Sequence, residues 1–345
     1  MTEDFVTPYF ARDLSAKLID EGWASVAKAR TNDVAIHAPS GRQWWQVSAR
    51  YWLQQTLPQE PDIWHSLPGA THSLREADED IRSRPKFANY VGAAAAINLH
   101  TDASTSPTTR GTRVYYHTGR VADQELASNV LCYMKEAIQS VGNYSNWSVA
   151  GTPVGVTNKG ENTHAQVPSI IVELGFHTNA EDALALQNDY FREAAVNGIA
   201  KGWHLNSQGV GCEPLKITSI PPLQVTQNVQ ADWTVHFEGH PQFPLKVVGV
   251  FKTCPSGWTC SQFTKNVYSD TASPLHLTWD CNVSGSENPG VSTFQLETVI
   301  IDDDGVRAAP VAHTVVCSPP SGAIASRSAD KKTSATATVS FQKQP

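Results

Sequence analysis

The chain lacks several features that would place it in a large class of proteins. It has no apolar run long enough to cross a bilayer, so no membrane span is predicted. Its 26 Lys and Arg are outnumbered by 33 Asp and Glu, and the formal net charge is -7. Because phosphate contacts need clustered Lys and Arg, this balance argues against a nucleic-acid partner. The chain opens with polar residues, and no secretory signal is visible there.

No two cysteines stand in the two-residue spacing of a zinc knuckle, although the chain has six of them. Four lie in the last third of the sequence, and an even number in a strand-rich region predicts disulfides and an oxidising compartment. Cys254 and Cys260 enclose a short loop, while Cys281 and Cys317 end strand-like segments. We expect these two pairs, although four cysteines permit three pairings.

Strand-like runs alternate with helical patterns over the first part of the chain. The spacing of apolar residues predicts helices over 3–22, 121–140 and 180–204. Apolar runs predict strands over 23–30, 93–100 and 168–176. This alternation is typical of an α/β domain, in which a mostly parallel sheet carries helices on both faces.

The character of the sequence changes near residue 205. About seven short strands separated by turn residues follow, which predicts an immunoglobulin-like β-sandwich over 213–317. The first domain is predicted over 1–205, with a Trp-rich insertion at 34–80. Residues 318–345 are rich in Ser, Ala, Pro, Lys and Thr, which predicts a low-complexity tail that is disordered or forms a stalk.

His100 and Glu173 each directly follow an apolar run. If both runs are buried parallel strands, both residues lie at strand carboxyl ends, the edge where open α/β sheets bind ligands. A histidine and a carboxylate at one edge suit metal-assisted hydrolysis or acid–base catalysis. The alternative is that the strand ends simply meet water. Apolar residues also follow Glu173, and a carboxylate between two apolar stretches is costly without a partner or a task.

Four segments carry a resemblance to a known family. The segment INLHTDAS resembles the one that holds the second zinc histidine of zinc-dependent N-acetylmuramoyl-L-alanine amidases, and VPSIIVELGFHTNAED resembles their PxVLVExGFxSNxxD segment with the catalytic glutamate. RPKFAN matches RxxxAN, and AKARTND resembles TRxxD. The resemblance covers about residues 3–205. It implies a periplasmic or secreted enzyme with Zn²⁺ as cofactor, which cleaves the amide between N-acetylmuramic acid and L-alanine in peptidoglycan.

The resemblance implies roles for three residues. His100 corresponds to a zinc ligand, Glu173 to the general acid–base, and Glu3, by its position at the first helix, to a second ligand. The alternative for Glu3 is a solvated acid, which the helix dipole favours at that end. The family's first ligand lies in a DPGHGG turn, which occurs nowhere in this chain; His37 follows a strand, but at the wrong position.

Two ligands are one fewer than catalytic zinc normally has from protein. The sequence therefore leaves two alternatives to an active enzyme. One is a truncated gene product whose first strand and histidine are encoded upstream of Met1. The other is a catalytically inactive, amidase-like protein that binds the cell wall.

Two further sets of residues allow two interpretations each. Trp45 and Trp52 share one helical face, so packing is preferred over a wall that stacks on sugar rings. His164 and His177 lie near the candidate site in sequence and either face the cleft or lie on the surface. Asp102 either supports the zinc histidine or is a turn residue.

Overall fold

The structure is a computed structural model that describes residues 3–268, 272–284, 289–321 and 335–341. It divides into two units, Met1–Cys212 and Glu213–Pro345. Within the described ranges, no helix is long and apolar enough to span a membrane.

The first unit contains the predicted alternation of helices and strands. Its helices are α1 (Thr7–Asp20), α2 (Ala49–Thr56), α3 (Pro61–Trp64), α4 (Arg75–Tyr90), α5 (Val121–Ser140), α6 (Gly160–Thr163), α7 (Ala180–Ala185) and α8 (Asp189–Ser207). Its strands are β1 (Ile36–His37), β2 (Arg42–Gln43), β3 (Ala96–Asp102), β4 (Arg113–His117), β5 (Val154–Val156) and β6 (Ser169–Phe176).

Four of these strands form one sheet in the order β3-β6-β4-β5. Two of its three pairings are parallel, β3 with β6 and β4 with β5, while β4 runs antiparallel to β6. All eight residues of β6 are buried, as expected for a central strand covered on both faces. Helix α1 contacts β3, and α5 contacts β4 and β6. The predicted α/β class, with a mostly parallel sheet, is confirmed.

Two predicted elements differ from the structure. Residues 23–30 form no strand, because they pair with no neighbouring strand in the described sheet and instead border a cavity beside β3. The helix predicted over 180–204 is two helices. Asn179 and Asn188 each accept hydrogen bonds from backbone N–H groups of the following turn, and so begin α7 and α8 separately.

Helices α5 and α8 pack closely because two glycines remove side chains from their contact. A Cβ on Gly198 would lie 2.5 Å from the Cα of Met134, and one on Gly202 would lie 2.6 Å from the Cα of Val130. A disulfide between Cys132 and Cys212 joins α5 to the segment after α8. No sequence pattern predicted this pair.

The Trp-rich insertion folds as α2 and α3 packed against α4. Ala49, Leu53 and Ile63 form its buried cluster. Trp52 meets the ring of Trp44 edge-on, with 5.4 Å between ring centroids. These contacts favour packing as the role of Trp52.

The second unit is built from strands. They are β7 (Lys216–Ser219), β8 (Leu223–Thr226), β9 (Ala231–Glu238), β10 (Leu245–Phe251), β11 (Trp258–Thr259), β12 (Phe263–Val267), β13 (Leu275–Val283), β14 (Ser292–Ile301), β15 (Val311–Ser318) and β16 (Ala335–Phe341). They form two sheets of five strands, β12-β10-β14-β15-β8 and β11-β16-β13-β9-β7. Buried Trp233, Trp279 and Phe294 are among the core side chains.

Both predicted disulfides of this unit are present. Cys254 pairs with Cys260. Cys281 on β13 pairs with Cys317 on β15 and so links the two sheets.

The predicted tail 318–345 differs in part from the structure. Ala335–Phe341 form β16, which pairs antiparallel with β13. Their sequence, ATATVSF, contains the β-branched residues that favour strands. The remaining tail residues, 322–334 and 342–345, lie outside the described residues.

Candidate active site

His100 and Glu173 lie opposite each other on the neighbouring parallel strands β3 and β6. Since residues directly opposite in a parallel pair point to the same face, the sheet brings these two side chains to one side. Both lie in the second half of their strands. The two candidates named from sequence therefore lie together.

Glu3 lies beside His100. It begins the short turn of 3-10 helix (Glu3–Phe5) before α1. Its Oε1 atom is 2.7 Å from His100 Nδ1, and the same oxygen accepts a hydrogen bond from Thr101 N–H at 3.4 Å. A carboxylate held against the imidazole differs from the solvated acid that was the alternative interpretation.

The other nitrogen of the His100 ring faces Glu161 on α6, a residue that the sequence analysis missed. His100 Nε2 lies 2.8 Å from Glu161 Oε1. Arg84 on α4 donates to the same oxygen and also to Asp80 Oδ2, at 2.6 Å. Arg84 opens the RPKFAN motif, which was the available signal for this contact.

The rest of that motif places Glu161. Asn89 donates to the carbonyl of His164 and accepts from the N–H of Gln166, which ties the segment after α6 to α4. A Cβ on Gly160 would lie 2.6 Å from Ile81 Cγ2, so the glycine lets α6 approach α4 closely.

Glu173 is buried, and its Oε2 atom has no hydrogen-bond partner among the described residues. Burial raises its pKa to about 7, because the charged carboxylate is poorly solvated there. A carboxylate with a pKa near neutrality and a free oxygen suits a general base.

The two carboxylates around His100 change its charge state. Burial alone would lower the pKa of this histidine, but its hydrogen bonds to Glu161 and Glu3 raise the pKa to about 9. For both glutamates, burial acts to raise the pKa, but the hydrogen bond with His100 holds it below the usual value. Without a metal, the three groups form a charged cluster at neutral pH.

The other candidate residues have defined positions. Asp102 lies on β3, and its backbone carbonyl accepts a hydrogen bond from the N–H of His177. The His177 ring lies beside Thr101, with 2.9 Å between Nδ1 and Thr101 Oγ1. His164 directly follows α6. His37 lies in the β1–β2 hairpin, 2.8 Å from Ser40 Oγ and against Trp44.

His100 and Glu3 offer two donors to a metal ion. The imidazole nitrogen and the Glu3 carboxylate oxygen are of the kind that zinc uses. Within residues 3–268, 272–284 and 289–321, no group of three or more His, Cys, Asp or Glu is arranged to hold a metal ion. The donor types fit zinc, and the number of donors falls short.

Sequence comparison identifies the family of the first unit. Residues 1–204, more than half of the chain, match the N-acetylmuramoyl-L-alanine amidase family Amidase_3. The chain belongs to this family of cell-wall hydrolases. A comparison with curated proteins finds no match.

Solved amidase structures are similar to this amidase. One is the CwlD amidase of Clostridioides difficile in complex with the GerS lipoprotein, with 13% identity, TM-score 0.43, and coverage of 60% of this chain and 88% of that one. The N-acetylmuramoyl-L-alanine amidase of Clostridium difficile 630 has 19% identity, TM-score 0.33, and coverage of 52% and 94%. The catalytic domain of CwlV from Bacillus (Paenibacillus) polymyxa var. colistinus has 18% identity, TM-score 0.32, and the same coverage. Family membership follows from the sequence match.

A cavity of about 870 Å³ lies beside β3 in this amidase. It is lined by residues 23–32 and 93–100 and by apolar side chains of α1 and α4, among them Leu14, Leu18 and Phe87. Strand β3 is at the edge of its sheet, and the cavity runs along its open side.

The backbone of β3 presents hydrogen-bonding groups to this cavity. Ala96 N–H donates to the residue before β6, whereas Thr101 N–H donates to Glu3 on the other side. Alternate residues of a strand direct their N–H groups to opposite sides. The N–H groups of Ile97 and Leu99 therefore point away from β6 and towards the cavity. This edge of β3 can receive a further strand.

Proposed function

We propose that this amidase hydrolyses the amide between N-acetylmuramic acid and L-alanine in peptidoglycan, with zinc held by His100 and Glu3 and with Glu173 as the general acid–base. The observation that carries the proposal is the Glu173 carboxylate. It is buried opposite His100, has a free Oε2 atom, and has a pKa raised to about 7. A structural carboxylate buried at such a cost would be expected to have a partner.

Zinc at His100 Nδ1 and Glu3 would lower the pKa of a bound water and polarise the amide carbonyl. Glu173 then has two tasks. As a carboxylate it takes a proton from the water as the water oxygen attacks the carbonyl carbon. It then donates that proton to the L-alanine nitrogen as the C–N bond breaks, and so returns to its starting form. A pKa of about 7 suits both transfers.

The third zinc ligand is proposed to come from a strand that fills the cavity beside β3. Such a strand, parallel to β3, would end near His100 and Glu3. The cavity and the outward N–H groups of Ile97 and Leu99 support this proposal.

A periplasmic or secreted location is part of the proposal. Three disulfides, one in the first unit and two in the second, support it, because disulfides persist in oxidising compartments.

The experiment measures bound zinc and the release of stem peptides from purified peptidoglycan. With two ligands, we expect the chain to bind zinc weakly and to hydrolyse slowly. Glu173→Gln should keep the parent's zinc affinity and lose about a hundredfold or more in turnover. His100→Ala should lose both. If Glu173→Gln hydrolyses as fast as the parent, the proposed mechanism is wrong.

A further inference from the structure

Glu161 connects the candidate zinc histidine to α4. Its side chain is buried, and Oε1 lies 2.8 Å from His100 Nε2 while it accepts a hydrogen bond from Arg84. Oε1 is therefore shared between the Arg84 guanidinium and the His100 ring, and through this contact Glu161 acts on the candidate site.

Arg84 is itself held in place. Its guanidinium donates to Asp80 Oδ2, at 2.6 Å, one turn earlier on α4, and Asp80 Oδ1 accepts from the backbone N–H of Arg50 at 2.8 Å. The chain of contacts therefore runs from α2 through α4 to Glu161 and the imidazole. Because Arg84 is fixed at both ends, it leaves the Glu161 carboxylate little freedom to rotate. Glu161 can therefore hold the His100 ring that it contacts.

The two ring nitrogens of His100 have different surroundings. Nε2 faces Glu161, and Nδ1 faces Glu3. Both nitrogens therefore have a carboxylate acceptor, and the contact with Glu161 holds the ring from the side opposite to Glu3. Zinc at Nδ1 would leave the ring proton on Nε2, where Glu161 Oε1 accepts it. Partners of this kind orient metal-binding histidines.

We propose that Glu161, supported by Arg84, is a positioning residue that fixes the ring orientation of His100. The inference rests on the proposed function in one respect, the role of His100 as a zinc ligand. The orientation of the ring is a property of the metal-free chain and can be determined independently of any activity.

The chain offers a matched control at Glu79. This residue is also buried, and it also lies between an arginine and a histidine: Oε2 is 3.1 Å from Arg50 Nη1, and Oε1 is 2.9 Å from His65 Nδ1. It has no contact with His100. Glu79 contacts the Arg50 guanidinium, whereas Asp80 accepts from the Arg50 backbone N–H. Removing Glu79 therefore disturbs a buried Arg–Glu–His arrangement of the same chemistry and leaves the contacts of Glu161 with Arg84 and His100 in place.

The experiment compares the full chain with Glu161→Ala, Glu161→Gln, Glu79→Ala and Glu79→Gln. Zinc affinity is measured by competition with a chromophoric chelator, and circular dichroism checks folding. We expect Glu161→Ala to weaken zinc binding by about 10- to 100-fold. Glu161→Gln should weaken it less, because its amide oxygen still accepts from Nε2–H. Both Glu79 variants should bind zinc like the parent.

The second measurement is the orientation of the His100 ring in crystal structures of the metal-free parent, Glu161→Ala and Glu79→Ala. The ring should keep its orientation in Glu79→Ala and lose it in Glu161→Ala. If the parent binds no zinc, the role of His100 as a ligand fails, and the ring orientation still decides the positioning role. An unchanged ring in Glu161→Ala would overturn the inference, as would an equal loss of zinc affinity in Glu79→Ala.

Discussion

Glu3 Oε1 and His100 Nδ1 lie 2.7 Å apart, although one residue precedes α1 and the other lies in β3. The contact exists because α1 packs on β3 and begins next to its carboxyl-terminal half. It places a carboxylate oxygen on the side of the imidazole that remains free when Nε2 faces Glu161.

Substitution of Glu3 tests whether it is a ligand or a helix-terminal acid. Glu3→Ala should weaken zinc binding about as much as His100→Ala does. Asp4→Ala is the matched control, because Asp4 is an exposed acid in the same turn, paired with Arg30 at 3.5 Å. Chelator competition on all three variants gives the result. Equal zinc affinities for Glu3→Ala and Asp4→Ala would restore the interpretation of Glu3 as a dipole-stabilised acid.

The pairing of His100 with Glu173 could be predicted from sequence because each follows a continuous apolar run. Such runs are typical of buried parallel strands, whose carboxyl ends meet at one edge. Glu161 could not be found in this way. It follows no strand and lies on a helix of four residues, so its position depends on the contact between α4 and α6, which leaves no periodic pattern.

The other differences have local causes. The helix predicted over 180–204 keeps a helical pattern of apolar residues across its break, and only the capping by Asn188 divides it. A strand over 23–30 is plausible from composition, but strand formation needs a neighbour, and in the described residues that side of the cavity has none.

Glu173 should make stability depend on pH. Its pKa is about 7 in the folded chain against an ordinary value of 4.5, so the folded state binds the proton more tightly. The contribution of protonated Glu173 to the free energy of unfolding is fully present below pH 4.5 and is lost as the pH rises through 7. The loss is roughly 3 kcal/mol, at 1.36 kcal/mol per pKa unit. Glu173→Gln should therefore be more stable than the parent at pH 8, and much closer to it at pH 4.

Urea unfolding of the metal-free chain at both pH values measures this difference. Glu125→Gln, on the exposed side of α5, is the control and should follow the parent at both. If Glu173→Gln differs from the parent by the same amount at pH 4 and at pH 8, the raised pKa of Glu173 is wrong.

Protonation of the buried His313 should destabilise the β-sandwich in acid. His313 is buried against Trp233, its Nε2 lies 2.9 Å from Thr298 Oγ1, and burial lowers its pKa to about 4. Its contribution is present above pH 6.5 and is lost as the pH falls through 4, again roughly 3 kcal/mol. His313→Leu should reduce this pH dependence, whereas His236→Leu, at a half-buried histidine of β9, should not.

Hydrogen exchange of the backbone amides of β9, β13 and β15, measured between pH 7 and pH 4, reports on this unit alone. The comparison uses the slope of stability against pH, because His313→Leu can also change stability at neutral pH. An unchanged slope in His313→Leu would mean that another group causes any acid sensitivity.

The cavity beside β3 leads to the last prediction. An apolar strand of about six residues, joined before Glu3 by a glycine-rich turn that carries a histidine, should pair with β3 and bring a third donor to His100 and Glu3. Hydrogen exchange at the outward N–H groups of Ile97 and Leu99 should slow, and zinc affinity and peptidoglycan hydrolysis should both rise.

The same strand with alanine in place of the added histidine should protect the two amides without raising zinc affinity. A strand interrupted by proline should do neither, because it lacks an N–H for the ladder. Protection of both amides in the unmodified chain would show that the edge is already covered, and tight zinc binding by that chain would mean that the third ligand is among its own residues, with His37 and His164 the first to test.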